Sequence, residues 1–537
     1  MVNAKKTIAL LIAVMMLLTF FAGCDTAEKA KPAGQASTPM STTPGQNQPE
    51  AQAVAETDKT LTVGTTGNCL YFYTSGSGES LNYGRRLVFD QLFEMDDNTG
   101  EISSRILSEW EWVDDVTLKA VLKDNVVFSD GTPMRGTDIL FTLESYVING
   151  HSEIQFFQKI DFEKSYVEDD GLTTYIIYSQ PYGAAMSTLM IPILSEEFCK
   201  AHPDGDEAWW YSPVGSGPYK VDEMETDSYV IFERRDDYWD KDAKFPPKTI
   251  RLNFYKDPTT MYADFANGVI DIMMNVSSEQ AEQIKAGEIE GACVVVQSAN
   301  DVMMFIMNES SPELQDIAVR EAIAYAVDWE ACGVVGYGTL CMKATSHFAG
   351  TFDAYTEHNL YNYDPEKARQ ILADAGYKDG DIVIDFLCLE GDPVPEAFQA
   401  YLAEVGITLN VAGYDIPTLI PKMINGEGDC GMQSTVGGGG GNPAREPDKC
   451  LSTMNSTGFK LMSISDEEFN SLLAQGLATT DPALRKEAYI AADNWLYENF
   501  RAFPVCEILE AYAYGPRIAY FKQSAVGRGC LANVQFN

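Results

Sequence analysis

The sequence predicts an α/β protein with at least two lobes, and three observations lead to this class. The chain has 537 residues, which exceeds the roughly 250–300 residues at which a single hydrophobic core stops growing. Hydrophobic residues make up 45% of the chain and aromatic residues 11%, a composition that excludes global disorder, collagen and coiled coils. Strand patterns at 382–387 and 407–411 alternate with helical patterns, as in an α/β sheet.

The first half of the body begins with short elements. Their boundaries follow from alternating hydrophobicity, helical spacing and Gly/Pro turn signals. The predicted elements are a strand at 61–64, a helix over 84–94, strands at 117–122 and 126–128, a turn at 129–133 and a helix opened by Thr137 and Asp138.

The helices of the second half carry clearer start signals. Proline at the first turn predicts helices that begin at Ser311-Pro312, Asp364-Pro365 and Asp481-Pro482, because its missing N–H has no helical partner there. The second of these is predicted to end at Gly376, and the third to run to about Glu498. Residues 465–468 have the pattern of a capping box.

The chain is strongly acidic. It has 38 Lys and Arg against 79 Asp and Glu, which gives a formal net charge of −41. A protein that binds the nucleic-acid backbone needs Lys and Arg to displace counterions. We therefore expect no nucleic-acid partner.

Residues 1–23 have the pattern of a signal peptide. Two lysines precede an apolar run over residues 7–21, and the run ends at Ala22-Gly23-Cys24. Small residues before a cysteine resemble the lipobox of bacterial lipoproteins, in which the cysteine is lipidated before cleavage. We predict that Cys24 carries a lipid anchor on the outer face of the cytoplasmic membrane. The alternative is an ordinary signal peptide with an unmodified Cys24.

Residues 24–59 are predicted to form a disordered tether. From residue 25 onward this stretch contains no aromatic residue, no Leu and no Ile, so it cannot bury enough apolar surface to offset its ordering entropy. Beyond the signal peptide, no window approaches the ~20 apolar residues of a membrane span. The lipid would therefore be the membrane attachment.

The cysteines do not form a recognisable framework. Of the 11 cysteines, ten remain after Cys24, with irregular spacing and no C-x-x-C pair. Buried free thiols explain them. A single bridge, Cys332–Cys341 or Cys430–Cys450, is the alternative for an exported chain. The histidines have no ligand spacing with the cysteines, so we expect no metal site and no cofactor.

Three stretches together resemble family 5 of the extracellular solute-binding proteins of ABC importers, which includes oligopeptide- and dipeptide-binding proteins. The first, 118–143, contains the turn Phe-Ser-Asp-Gly-Thr-Pro; the second is PVGSGPYKV at 213–221, followed by DDYWD at 236–240. The third is VREAIAYAVD at 319–328, followed by YDPEKAR at 363–369. The resemblance covers about residues 61–521 and contains no catalytic motif.

The resemblance implies a two-lobed periplasmic-binding-protein-like fold (class II, cluster C type). Lobe 1 would comprise 60–301, with an extra domain at about 94–211, and a C-terminal return at 507–537. Lobe 2 would comprise 302–506, with hinge crossings near 301–308 and 501–506. The glycines of the PVGSGPYKV stretch would let backbone pass closely between the lobes. Such a protein acts as a monomer with ABC permease and ATPase partners.

The resemblance also places candidate ligand-binding residues in cleft-lining segments. They are Tyr71, Tyr73, Phe305, Asn308, Tyr337 and Asn442. Arg445, which follows the glycine run at 437–441, is a further candidate for its charge.

The sequence departs from the family pattern at the peptide anchor. Peptide-binding members carry a Trp and an Asp whose carboxylate pairs with the peptide ammonium, whereas here five glycines stand at 437–441. Glu446 or Asp448 could replace that anchor. The glycine run could hold an anion through its backbone N–H groups or form a flexible turn. Arg445 could bind a ligand carboxylate or pair with one of the protein's own acids.

A short peptide is the leading cargo. The same fold could instead bind chelated nickel, a sugar or an opine, or present a signalling peptide to a sensor. An exported hydrolase with paired carboxylates is a third class, but the sequence carries no Ser/His/Asp or H-E-x-x-H signature.

Overall fold

The computed structural model describes residues 59–66, 72, 79–95, 101–148, 154–359, 361–435, 446–451, 454, 460–522 and 531–537. Its strands are β1 (Thr60–Thr65), β2 (Glu94–Met95), β3 (Ile102–Ser103), β4 (Leu107–Trp112), β5 (Thr117–Leu122), β6 (Tyr166–Val167), β7 (Thr173–Ile177), β8 (Tyr219–Glu225), β9 (Tyr229–Arg234), β10 (Thr249–Phe254), β11 (Ile272–Met273), β12 (Cys293–Met307), β13 (Cys341–Met342), β14 (Ile382–Leu389), β15 (Ile407–Tyr414), β16 (Cys430–Ser434), β17 (Ala502–Tyr514), β18 (Ile518–Tyr520) and β19 (Gln535–Phe536).

The helices alternate with these strands. They are α1 (Glu79–Val88), α2 (Gly136–Ile148), α3 (Ile154–Phe157), α4 (Ala185–Thr188), α5 (Glu196–Ala201), α6 (Ala208–Tyr211), α7 (Pro258–Ala266), α8 (Ser278–Lys285), α9 (Ile317–Ala326), α10 (Trp329–Tyr337), α11 (Pro365–Asp374), α12 (Val394–Glu404), α13 (Ile416–Asn425), α14 (Pro447–Leu451), α15 (Glu467–Leu477) and α16 (Pro482–Glu498). Within the described ranges, no helix is long and apolar enough to cross a membrane.

One eleven-stranded sheet runs through the molecule. Its order is β15-β14-β16-β12-β17-β11-β1-β10-β9-β8, and β13 pairs with β17 outside this path. The long strands β12 and β17 pair antiparallel from Cys293↔Tyr514 to Ile306↔Ala502. They therefore belong to both halves of the sheet. A separate four-stranded sheet, β4-β5-β7-β6, lies within residues 107–177.

The hydrophobic core falls into separate clusters on either side of the long strands. We keep the predicted boundaries as names: lobe 1 for 60–301 with 507–537, and lobe 2 for 302–506. One large cluster, which includes Leu61, Leu118 and Tyr512, lies in lobe 1 and takes in the four-stranded sheet. Two clusters, around Phe305 and around Met304, lie in lobe 2.

Several predicted elements agree with the structure. The strand at 117–122 is β5, and the helices capped by Asp364 and Asp481 are α11 and α16, each with the aspartate accepting from backbone N–H groups of the first turn. Gly376 follows Ala375, the C-cap of α11, and has φ +92°, a conformation that glycine adopts without strain.

Other boundaries were wrong. Residues 126–128 form a single bridge, Val127↔Pro133, within their own turn rather than a strand. Pro312 starts a short 3₁₀ turn, and the α-helix begins later, with Asp316 as its N-cap. The predicted capping box at 465–468 is absent because Asp466 caps α15, while the Ser465 N–H donates to Glu309.

The PVGSGPYKV stretch packs within lobe 1 and not between the lobes, which corrects the prediction. A Cβ on Gly215 would lie 2.1 Å from the carbonyl oxygen of Val88, and one on Gly217 would lie 2.5 Å from that of Leu87. The buried Arg235 donates to the carbonyl oxygens of Gly215 and Gly217. Glycine is therefore required here by close backbone approach to the end of α1.

Candidate functional site

The two long strands carry an irregular, polar segment where they pass between the lobes. Their register shifts between Ser298 and Asp301, and Asn300 has a positive φ of 55°. Such a shift interrupts the ladder of backbone hydrogen bonds. This segment is the natural place for the strands to bend.

Buried side chains fill the gap left in the ladder. One carboxylate oxygen of Glu507 accepts from the Ser298 hydroxyl at 2.6 Å, and the other accepts from the Gly350 N–H at 3.0 Å. Asp301 accepts from the Thr435 hydroxyl at 2.9 Å. These bonds join β12 and β17 to loops of lobe 2.

A second polar cluster lies where the extra domain of lobe 1 meets lobe 2. Glu446 and Asp448 are only 3% and 4% exposed. The Ser187 hydroxyl donates to Glu446 at 2.9 Å, and the Arg485 guanidinium also donates to Glu446. We call Ser187, Glu446, Asp448 and Arg485, with Tyr182 and Tyr489, the interlobe acid cluster.

The electrostatics of this cluster are unusual. Burial raises the pKa of Asp448 to about 7, and the charge of Glu446 adds to that effect, while Arg485, Lys159 and Lys449 oppose it. A buried carboxylate is stabilised in its charged form only by a partner cation or by hydrogen bonds. A cationic group brought beside Asp448 would therefore favour its charged form.

A tyrosine hydroxyl in the same cluster is open to a further partner. Within the part of the chain that the structure describes, the hydroxyl of Tyr182 is buried and makes no hydrogen bond, and the buried hydroxyl of Tyr489 lies beside Arg485. Burial raises the pKa of both, with the charges of Asp448 and Glu446 adding to it. A buried hydroxyl without a partner is costly, so a bound group or water there would stabilise the protein.

Three of the predicted ligand-binding residues lie in described segments, and they do not come together in this cluster. Phe305 is fully buried, with its ring among those of Trp329, Phe386, Phe398 and Phe503. This placement gives it a role in the core of lobe 2 and leaves no ring face for a ligand.

The other two lie near the hinge strands. The amide of Asn308 donates to the carbonyl oxygens of Gly426 and Gly428, and its oxygen accepts from the Ser310 N–H. Its polar atoms therefore hold a turn. Tyr337 is half-buried at the end of α10, and burial, with Cys506 and Asp392 adding to it, raises its pKa well above the usual value.

The remaining predictions fall outside the described residues. They concern Cys24, Tyr71, Tyr73, Asn442, Arg445 and the glycine run at 437–441. Tyr182, Ser187, Arg485 and Tyr489 were missed by sequence reasoning. The Ser187–Glu446 contact joins residues 259 positions apart, and no local pattern marks such a pair.

The described cysteines form no disulfide bond. Cys332, Cys341, Cys430 and Cys450 are all unbridged, so the structure forms neither of the two bridges considered from the sequence. The described residues also contain no group of three or more His, Cys, Asp or Glu side chains that could hold a metal ion.

A pocket of about 210 Å³ lies within lobe 2. Two of its polar groups already have partners: Asp328 accepts from the Ala331 N–H, and the Tyr361 hydroxyl donates to the Tyr497 carbonyl. Its lining residues are Val327, Asp328, Trp329, Glu330, Lys343, Ala344, Tyr361, Asn362, Tyr363, Phe503, Pro504 and Val505. The pocket is therefore separate from the contact between the lobes.

Known proteins share this architecture. Heme-binding protein A of Haemophilus influenzae is 24% identical over 484 residues, which are 84% of this chain and 87% of that protein. The substrate-binding protein CtaP of Listeria monocytogenes superposes with a TM-score of 0.78 at 20% identity, over 90% of this chain and 100% of that one.

A dipeptide-binding protein of Pseudoalteromonas sp. SM9913, in complex with Met-Leu, superposes with a TM-score of 0.74 at 20% identity, over 89% of this chain and 100% of that one. These similarities show the two-lobed periplasmic-binding fold. The family described as bacterial extracellular solute-binding proteins, family 5 Middle, matches residues 101–458, which is more than half of the chain. The chain therefore belongs to the family 5 extracellular solute-binding proteins of ABC transporters.

Proposed function

We propose that the protein is the lipid-anchored, extracytoplasmic binding component of an ABC importer, and that it captures a short peptide between its lobes and delivers it to a membrane permease. Membership of the family supports the transport role. The lipid on Cys24, the tether over residues 24–59 and the monomeric state are parts of this proposal. The permease and the ATPase are separate partner chains.

The interlobe acid cluster is the observation that favours a peptide. A peptide presents N–H donors, carbonyl acceptors and a terminal ammonium. The hydroxyls of Tyr182 and Tyr489 can donate and accept, and the carboxylate of Asp448 accepts. In this proposal Asp448 takes the role of the family's missing anchor and pairs with the ammonium.

A non-peptide cargo is the second candidate. The relative from Haemophilus influenzae is named for heme, and the sequence leaves chelated nickel, sugars and opines open. A receptor that presents a signalling peptide to a sensor would use the same site.

Native mass spectrometry of the purified chain from Asp58 onward distinguishes these cargoes. We expect denaturing release to yield a ladder of short-peptide masses. Added peptides should raise the melting temperature, because a ligand present at 100 times its Kd stabilises the native state by about 2.7 kcal/mol. A single non-peptide mass, or stabilisation by heme or a nickel chelate alone, would contradict the peptide proposal.

The charge of Asp448 gives a sharper prediction. The pKa of Asp448 is about 7, so below pH 7 its carboxyl group must lose a proton before it can pair with an ammonium. The affinity for a peptide should therefore fall as the pH drops from 7 to 5. Asp448→Asn should weaken binding by about 10- to 100-fold at pH 7.5, the worth of one charge-assisted hydrogen bond. Isothermal titration with trialanine measures both effects.

N-acetyl-trialanine is the matched control ligand, because it lacks the ammonium. It should bind weakly to the unmodified protein, with no loss between pH 7 and 5 and no response to Asp448→Asn. Equal pH dependence of the two ligands would mean that Asp448 is not the anchor.

A further inference from the structure

Residues 182–187 of the extra domain of lobe 1 make hydrogen bonds to lobe 2, beside the contact of Lys449 with the ring of Phe156. The Gly183 N–H donates to the carbonyl oxygen of Leu477 at 2.7 Å, and the Ser187 hydroxyl donates to Glu446 at 2.9 Å. Leu477, at the end of α15, packs against the hydrophobic core of lobe 1. Backbone, polar and apolar contacts between the lobes thus coincide at one place.

Gly183 lies directly against lobe 2. A Cβ added there would lie 2.3 Å from the Thr479 carbonyl oxygen and 2.5 Å from Nε of Arg485, and its three nearest atoms all belong to lobe 2. The φ of Gly183 lies outside the left-handed region, so its own backbone accepts alanine. The atoms that come closest to a side chain at position 183 therefore belong to lobe 2.

Arg485 positions the part of lobe 2 that faces residues 182–187. Its Nε donates to the Gly476 carbonyl oxygen at 3.2 Å, which fixes the turn between α15 and α16, and its other end donates to Glu446. The turn that meets Gly183 and the carboxylate that meets Ser187 are thus joined by one partly buried side chain. Arg485 is a positioning residue for the contact.

We propose that residues 182–187 of the extra domain and the turn 476–485 with Glu446 of lobe 2 form a closing contact that sets the fraction of the protein in the closed form. Its Gly183–Leu477 and Ser187–Glu446 hydrogen bonds are made only when the lobes meet, so they stabilise the closed form alone. The apparent affinity for an enclosed solute is proportional to the closed fraction. The extra domain thereby tunes affinity for any cargo.

Hydrogen exchange of the full chain tests this without a ligand. In the unmodified protein we expect slow exchange at the Gly183 amide and across 476–485. Gly183→Ala should speed exchange there about tenfold, because the added methyl meets backbone of the other lobe. Strand β5, which lies away from the contact, should exchange as before and so report an intact extra domain.

Two further variants complete the test. Gly515→Ala is the matched control, since its Cβ would meet no atom closer than 3.7 Å, and it should leave exchange at 182–187 unchanged. Ser187→Ala removes the hydroxyl whose proton is shared between Glu446 and the Ala184 carbonyl oxygen, and it should speed exchange by about threefold. Rapid exchange at Gly183 in the unmodified protein, or no acceleration in Gly183→Ala, would overturn the proposal.

This inference rests on the proposed function only in that a solute is enclosed. A pool of alanine peptides of two to five residues separates the two failures. If the pool does not bind the unmodified protein while Gly183→Ala still accelerates exchange, the peptide cargo is wrong and the closing contact stands. If the pool binds both proteins with equal affinity, the closing contact does not tune affinity.

Discussion

Replacing Asp493 with asparagine is expected to lower the free energy of unfolding by about 3–5 kcal/mol, the loss seen when one partner of a buried charge pair is removed. Asp493 lies on α16 and is fully buried. Its two oxygens accept from Ser346 Oγ at 2.7 Å, His347 N at 3.1 Å, His347 Nδ1 at 2.6 Å and His358 Nε2 at 2.8 Å. Four donors therefore converge on one carboxylate.

Asparagine cannot satisfy this arrangement. Its single oxygen has two acceptor sites, and its NH₂ group would face donors. His347 Nε2 also contacts the carbonyl oxygen of Ala502 at 3.1 Å, so both ring nitrogens face oxygen atoms. The network ties the loop 343–359 to α16 and to the first residue of β17, so its loss loosens lobe 2 beside the hinge.

Chemical denaturation measures the effect, with Asp466→Asn as the matched control. Asp466 is exposed and caps α15 by accepting from the N–H groups of Glu468 and Phe469. Asparagine caps helices as well as aspartate does, so this variant should change stability by less than about 0.5 kcal/mol. An Asp493→Asn variant as stable as the control would show that the network contributes little.

The acid side of the stability curve gives an independent check. Burial raises the pKa of Asp493, but the hydrogen bonds from His347, His358 and Ser346 outweigh it and hold the pKa well below its usual value. A carboxyl group whose pKa is lower in the folded protein than in the unfolded chain stabilises the folded state. This contribution is complete above the pKa in the unfolded chain, about 3.9, and is lost as the pH falls below that value. The difference in the free energy of unfolding between the unmodified protein and Asp493→Asn should therefore shrink as the pH falls below about 4.

Asp90→Ala is expected to lower the free energy of unfolding by about 2–5 kcal/mol, because it leaves two buried donors without an acceptor. The Tyr238 hydroxyl donates to Asp90 at 3.0 Å and the Trp239 indole N–H at 2.8 Å. These two side chains belong to the DDYWD motif, so the motif anchors the chain just after α1. Thermal and chemical denaturation measure the loss.

A double-mutant cycle with Tyr238→Phe isolates the contact. Removing one hydroxyl alone should cost about 1 kcal/mol, and the two substitutions together should cost less than their sum, since they share a hydrogen bond. Strict additivity would show that the bond contributes nothing to stability.

The cost of Asp90→Ala should also depend on pH. Burial raises the pKa of Asp90 to about 6, against the opposing effects of Arg105, Trp239 and Tyr238. The folded protein therefore holds a proton that the unfolded chain releases near pH 4, and its stability falls as the pH rises from about 4 to 6. The alanine variant lacks this slope, so the substitution should cost more at pH 4.5 than at pH 7.

Local signals in the sequence predicted the elements whose ends are decided locally. Asp364 and Asp481, each followed by proline, cap α11 and α16 as predicted, because the capping bonds lie within four residues. Strand β5 likewise follows its own alternating pattern, with Leu118, Ala120 and Leu122 buried on one face.

Elements whose ends depend on distant residues were misplaced. The helix predicted at 84–94 ends at Val88, although apolar residues continue beyond it. The Gly217 N–H donates to the Val88 carbonyl oxygen, and the Asp90 N–H donates to the Ser216 hydroxyl oxygen. A loop more than 120 positions away thus takes up the backbone groups that would have extended the helix.

The sequence by itself determined the family and the two-lobed α/β class, because the motifs that carry them are short turns, caps and strands held by local chemistry. Only the tertiary structure decided which side chains meet between the lobes. It placed Phe305 in an aromatic core, and it brought Ser187, Glu446 and Arg485 together from three distant segments. Burial and charge at such a contact arise from packing between elements, which no pattern within a single element encodes.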